Sequence, residues 1–532
     1  MPPQIAHYVG YTRQLDWVKH GVLKLLHFLM YLIIGMSSVS LAQSPANRTQ
    51  WGQLIQLPSP GETSVWFPDL TVDSKGNVHV IWCETDHFEV MEYQANVKGK
   101  AIERVLYSKW NGDTWTSPII LVSPEVDIIR NSISIDENDQ LHVLFDNKVG
   151  GGAGLLYKNA PADKSNIASA WSKPHLVNSR QGTYFSDIVP HDGAIHILYD
   201  DRGGGTENDI CQNCADVFYR QSPDGGKTWQ SPVNLVPSPI GSGRGQIEVD
   251  SGGVIHVTWD EGWDRLTDFG EHEYGIYLNS RDGGQTWSSA TEVWYPNRNN
   301  VQFAVAGNGK GGVMLVWRNQ ASQFPDVYYM WSTDYGETWS FPDVVPNLSA
   351  RRWNSPFDLY DMAEDSAGTI HFVLAAFYGN FPSSPDARSQ LYHVEWDGEA
   401  WSEPALLYDG NGYPEFPHIF ISNGNKLHVT WFVRADSVYQ LAPHVAWYQH
   451  GISDAPSLDI TSAQFKGNQT TEITATLTPT ATPIPDIAKG SVNTNVPDPN
   501  DWKDDVIRLL IGLSPAILFF IVVIVRVMWI RK

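Results

Sequence analysis

The chain has 532 residues, a formal net charge of -23 and a pI near 5.0, with no basic stripe to neutralise phosphates, which excludes a nucleic-acid partner. Its 22 Trp, 44 Gly and 33 Pro suit many short strands and tight turns, so the composition favours an all-β protein over a helical one. The length admits several ordinary domains or one large body of repeats.

In chain order, Lys19 and Lys24 precede a mostly apolar run from Leu25 to Leu41, and small residues around Ala42 suit a peptidase. This predicts a signal peptide over residues 1–42, the alternative being an uncleaved anchor helix. The body is expected over residues 43–452. Within it an alternating strand recurs with His at one place: His79, His142, His196, His256, His371 and His428, with Met314 completing the series. The intervals are 63, 54, 60, 58, 57 and 57 residues, so one supersecondary unit occurs seven times. Because it alternates inside a strand regardless of local chemistry, this His reads as a hydrogen-bonded interior residue.

A second pattern, a turn followed by Trp and an extended segment, recurs at Trp115, Trp171, Trp229, Trp287, Trp339 and Trp401. The last unit lacks it, and the missing outer strand is expected from the N-terminal segment Trp51 to Leu57. A chain that supplies the first strand of its last sheet closes a ring and hides both edges, which predicts a seven-bladed β-propeller.

Three cysteines, Cys83, Cys211 and Cys214, are too few for a disulfide framework. The Cys211/Cys214 pair reads as a local disulfide, with half of a metal site or a redox pair as alternatives. Residues 453–505 form a Thr/Pro-rich stalk with too few large apolar residues to bury a core. Residues 506–530 then read as a transmembrane helix and residues 531–532 as a basic cytoplasmic tail. The expectation is a single-pass cell-membrane protein, anchored in the lipid bilayer, with its body outside the cytoplasm.

Three segments carry a family resemblance. Ser222, Asp224, Gly226 and Trp229 share one spacing with Ser280, Asp282, Gly284 and Trp287, and with Ser332, Asp334, Gly336 and Trp339. These look like the Asp-box, or BNR, repeat of the sialidase superfamily, with degenerate copies ending at Trp115 and Trp401. The resemblance implies a propeller with six blades, against the count of seven. It places the box turns between third and fourth strands, away from the functional face, so Asp224, Asp282 and Asp334 are expected to be fold residues.

Function is then expected on the opposite face. The ends of the second strands offer Glu84, Asp146, Asp200 with Asp201, and Asp260 with Glu261, a series broken by Arg318. The starts of the innermost strands offer Phe67, Arg130, Phe185, Arg244, Asn300, Leu359 and Phe416, with Tyr184, Tyr413 and Glu415 nearby. Paired carboxylates and Arg suit glycan chemistry, as proton donor, nucleophile and clamp. No cofactor is expected, although the same carboxylates would suit a structural calcium ion.

Sialidases place Arg in a Phe/Tyr-Arg-Ile-Pro motif on the first innermost strand, where this chain has Trp66 within Val65 to Pro68. One arm of the arginine triad is missing or comes from elsewhere in the chain. The first reading is therefore a propeller that binds a glycan or another surface polymer through its loop face. The alternative is a glycoside hydrolase, exo-sialidase-like, or a lyase, using Asp200, Asp260, Glu261, Arg130, Arg244 and Tyr184.

Overall fold

The computed structural model describes residues 44–59, 63–85, 103–122, 130–147, 154–178, 183, 185–201, 215–262, 272–321, 325–350, 360–380, 382, 387–434 and 444–458. The expected signal peptide, the stalk from residue 459 on and the transmembrane helix, together with Tyr184, Cys211, Cys214 and Leu359, lie outside them. No helix among the described residues is long and apolar enough to cross a membrane. Cys83 is buried within the strand Val78–Thr85.

The fold is all-β and propeller-like, made of antiparallel four-strand meanders. Ser64–Val72, Val78–Thr85, Glu103–Trp110 and Ile119–Ile120 form the first, innermost strand leading. Meanders led by Asn131–Ile135, Ser186–His191 and Ser242–Val249 follow. Those led by Asn300–Gly307 and Tyr360–Glu364 are fused into one eight-stranded sheet, so the described residues form six sheets rather than the expected seven. The fusion arises because Asp343–Ala350 runs on past its own meander, and Leu348 to Ala350 pair with Ala376 to Tyr378 of the next.

The last sheet begins with Tyr413–Ser422, Lys426–Arg434 and Val445–Ile452. Its outer edge is taken by the N-terminal segment, where Gln50 and Trp51 pair with Ile452 and Gly451 while Ile55 and Gln56 pair with Tyr448 and Trp447. The N-terminal closure read from Trp51 is therefore observed. Each leading strand contacts the next in chain order, and Tyr413–Ser422 returns to Ser64–Val72. Both chain directions thus meet in one sheet, which leaves no free edge at the junction.

The seams explain why His and Trp recur. In five meanders the His Nδ1 sits 2.6–2.9 Å from a third-strand Tyr hydroxyl: His79 with Tyr107, His142 with Tyr157, His196 with Tyr219, His256 with Tyr277, and His428 with Tyr448. The opposite ring nitrogen faces Asp73, Asp136 and Asp250 in three of these, at 3.2, 3.5 and 3.2 Å. Each Tyr then receives the Trp of the following meander nearly edge-on, with centroids 4.9–5.7 Å apart for Trp171, Trp229, Trp287, Trp339 and Trp115. Trp401 meets Tyr329 in the same way, and Trp51 meets His393. A buried imidazole is satisfied and an indole is packed by the same phenol.

The box turns behave as fold elements. Asp224 Oδ1 accepts the Lys227 and Thr228 N–H groups at 3.1 and 2.8 Å, and Oδ2 accepts the Thr228 hydroxyl at 2.7 Å. Asp282 and Asp334 accept the Thr286 and Thr338 groups likewise. In the two degenerate copies, where Trp stands at the Asp position, the next residue takes over. Asn111 accepts the Asp113 and Thr114 N–H groups, and Asp397 those of Glu399 and Ala400.

Candidate functional site

The leading strands carry one distortion at matching places. Phe67, Arg244, Gln302 and Phe416 have φ of 50°, 58°, 58° and 53°, each at a register shift against the second strand. Side chains other than Gly resist this region, so a repeated bulge marks positions where tertiary packing overrides local preference. It also corrects the fifth member of the sequence series, since Gln302, and not Asn300, occupies the position equivalent to Phe67 and Arg244.

The bulges bring their side chains together. The Arg130 guanidinium lies 3.9, 4.4 and 5.1 Å from the ring centroids of Phe67, Phe185 and Phe416. Arg244 lies 5.6 Å from the Phe185 ring, and Arg318 donates from Nε to Gln302 Oε1 at 2.9 Å. Aromatic faces attract these cations. Elsewhere on the rim Arg434 makes a paired contact with Glu415, at 2.9 and 3.0 Å.

The rim carboxylates Asp200, Asp260 and Glu261 stand within the last three residues of their second strands, Ala194–Asp201 and Ile255–Gly262, and are buried. Asp200 Oδ1 accepts the Phe185 N–H at 3.1 Å. Asp260 accepts the N–H groups of Gln302 and Phe303, at 3.0 and 3.3 Å, from the next leading strand, with Arg244 at 3.9 Å. Glu261 accepts the Trp259 indole N–H at 2.6 Å and the Ser238 hydroxyl. The three are 0, 0 and 1% exposed, and each has at least one oxygen engaged by a donor.

Below the Arg130 cluster an axial cavity of about 310 Å³ is lined by the leading strands, with Arg130, Phe185 and Phe416 among its walls. Besides Arg130, its lining carries the carboxyl groups of Asp69, Asp187, Glu248, Asp361 and Glu364 and the imidazole of His418. The first two Asp residues and Asp361 staple neighbouring strands: each accepts the next residue's own N–H and one from the following strand, at Ile133, Ile247 and Ile419 respectively. His418 Nδ1 lies 3.6 Å from Asp69 and 3.4 Å from Asp361, across the closing junction.

Burial and mutual repulsion govern ionisation there. Burial, helped by Asp69, raises Asp187 to about 7 against its Ile247 N–H, and burial raises Glu364 to about 7. Burial alone would lower His418, but Asp69, Asp361 and Asp187 raise it to about 9, so the imidazolium persists. Sequence reading missed this ring of groups. A signal existed, because Asp69, Asp187 and His418 each follow a bulge-series residue by two places.

Among the described residues the cluster with metal-ligand proximity is His371, His393 and Glu395, at the seam where His393 replaces the usual Tyr. Its atoms are already engaged: His371 Nδ1 sits 2.9 Å from His393 Nε2, His371 Nε2 3.0 Å from Asp365, and Glu395 accepts the Thr49 N–H and hydroxyl at 2.9 and 2.6 Å. The network fits a hydrogen-bonded seam without an ion.

The BNR repeat-like domain family matches residues 162–429, half of the chain. The chain belongs to this family. No curated protein matches this BNR repeat-like chain. Among solved structures it is similar to a Dyadobacter fermentans protein of unknown function, at 13% identity over 76% of this chain and 99% of that one, TM-score 0.45. It is also similar to the polysaccharide lyase Uly1, at 12% identity over 73% and 90%, TM-score 0.45. The NanB sialidase of Streptococcus pneumoniae is similar at 14% identity over 76% and 71%, TM-score 0.41.

Proposed function

We propose that this BNR repeat-like protein binds a glycan or another surface polymer through the face where its second strands end, and does not hydrolyse it. We read its ring as seven-bladed, the fused sheet holding two blades, and the apolar segment 506–530 as the anchor that keeps the ring outside the cytoplasm.

The observation that carries this reading is the engagement of Asp200, Asp260 and Glu261. Most enzymes that hydrolyse a glycosidic bond use two carboxyl groups that face the sugar across a set gap, one of them able to pass a proton to the leaving oxygen; sialidases replace the other with a Tyr nucleophile but still need the proton donor. Here the oxygens accept hydrogen bonds from backbone, indole and hydroxyl donors, and Asp260 joins two neighbouring leading strands. Trp66 at the family's Arg position supports the same conclusion, because a substrate carboxylate loses one clamp. The Asp-box resemblance favours glycan over protein as the polymer.

The test is a glycan array probed with the full chain, run beside assays for released reducing sugar and sialic acid. Retention on the array without turnover is expected. Turnover that disappears in Asp260→Asn and Glu261→Gln would replace this reading with the hydrolase one.

A further inference from the structure

Between the outer strand Thr291–Val293 and the leading strand Asn300–Gly307 the chain crosses the rim of the same face with Trp294 and Tyr295 exposed, at 41 and 38%. Phe341, on the neighbouring meander, is 77% exposed and is the most exposed large apolar side chain among the described residues. These rings are fixed rather than loose. Trp294 stacks on Tyr274 with centroids 4.0 Å apart and planes at 25°, while its indole N–H donates to Glu292 at 2.9 Å. Tyr295 meets Phe341 edge-on at 5.2 Å and is backed by Tyr328 at 5.7 Å.

Stacking on Tyr274 occupies one indole face, and the residue remains 41% exposed. An electron-rich aromatic face attracts the polarised C–H groups of a pyranose, and a ring already held in place loses little conformational entropy on binding. Hydrogen-bonding groups stand at the edges: Glu292 beside the indole, and Arg298, which is 68% exposed on its side chain and bonded to Glu273 at 3.0 Å. Flat apolar faces rimmed by polar groups match the two-sided polarity of a sugar. Among the described residues, three carboxylates nearby, on Glu273, Glu292 and the exposed Asp343, outnumber Arg298, and the whole chain carries -23. That balance opposes uronates, sialates, sulfated polymers and anionic lipid surfaces.

We infer that Trp294, Tyr295 and Phe341 form an aromatic platform that stacks pyranose rings of an uncharged polysaccharide. The inference rests on the glycan-binding reading and deepens it by naming a second contact, away from the axis, and the charge class of the ligand. The platform sets affinity through ring stacking, while its carboxylates reject acidic chains.

The experiment measures binding of the full chain to soluble β-glucan, mannan, xylan and galactan, against polygalacturonate and hyaluronate, for wild type, Trp294→Ala, Trp294→Phe and Phe341→Ala. Binding to at least one neutral polymer, weakened about tenfold or more in both Ala variants and largely kept in Trp294→Phe, is expected. Phe341→Ala, at so exposed a site, keeps the test valid if Trp294→Ala melts at a lower temperature. Unchanged binding of a polymer in both Ala variants overturns the platform and leaves the glycan-binding reading standing. Binding of acidic polymers alone overturns the assigned charge class, and a wild type that binds none of the six overturns the platform and counts against the glycan reading.

Discussion

The repeated unit is a short chain of side chains: a carboxylate or hydroxyl, a buried His, a Tyr hydroxyl and the Trp of the next meander. Its energetic weight lies in the ring contacts. Trp401 is 3% exposed and meets Tyr329 and Trp396, both at 5.3 Å. Trp401→Ala removes a buried indole from a seam that cannot collapse without moving two meanders, so a loss of about 3–5 kcal/mol is expected. Denaturant unfolding should show a lower midpoint with little change in slope. Asp260 illustrates a different role for the same residue type, because its partners lie on a strand about one repeat away, at Gln302 and Phe303.

The element on which closure depends is the N-terminal segment. Gly451 is paired with Trp51, and a Cβ there would stand 2.8 Å from the Thr49 methyl and 3.0 Å from the Trp51 ring. Contacts this close force the segment to shift. Gly451→Ala is therefore expected to lower the melting temperature and to speed proteolysis before residue 57. Trp51→Ala makes room, so the cost of Gly451→Ala should shrink in that background. Equal costs in both backgrounds would show that the clash does not involve the Trp51 ring. Asn47 and Thr49 extend the hold by bonding to His393 and Glu395, which belong to the neighbouring meander.

At the scale of the whole molecule, the axial cavity couples stability to pH. Asp187 and Glu364 have folded-state values near 7, above those of an unfolded chain, so the folded state binds more protons and loses stability as pH rises from about 4 to 7. His418, raised to about 9, contributes stability fully below its unfolded value near 6.5 and loses it as pH rises through 9. The signs agree. Melting temperature should fall from pH 5 to pH 10 by this route, and Glu364→Gln should raise it at pH 8 more than at pH 5. A melting temperature that responds equally to Glu364→Gln at both pH values would refute the assignment.

What the sequence determined by itself was the repeat, its turns and its closure. His79, Trp229, Asp224 and Trp51 were legible because each requirement is met within one unit: a strand alternates with period two, a turn needs its acceptor and Gly, and an absent outer strand must be supplied. Tertiary structure alone decided the rest. The sequence counted seven like units, yet continued pairing from Asp343–Ala350 into Ile370–Tyr378 joins two meanders into one sheet. Asp200, Asp260 and Glu261 read as an open rim, whereas the fold buries them against donors that in the case of Asp260 lie on the next leading strand. Asp69, Asp187 and His418 share a place two residues after the bulge series, but that they converge with Glu364 on one axis is not written locally, since their separations in the chain exceed 50 residues. Periodic chemistry is written along a chain, but the field at a charged group is set by whatever the closed ring brings near it.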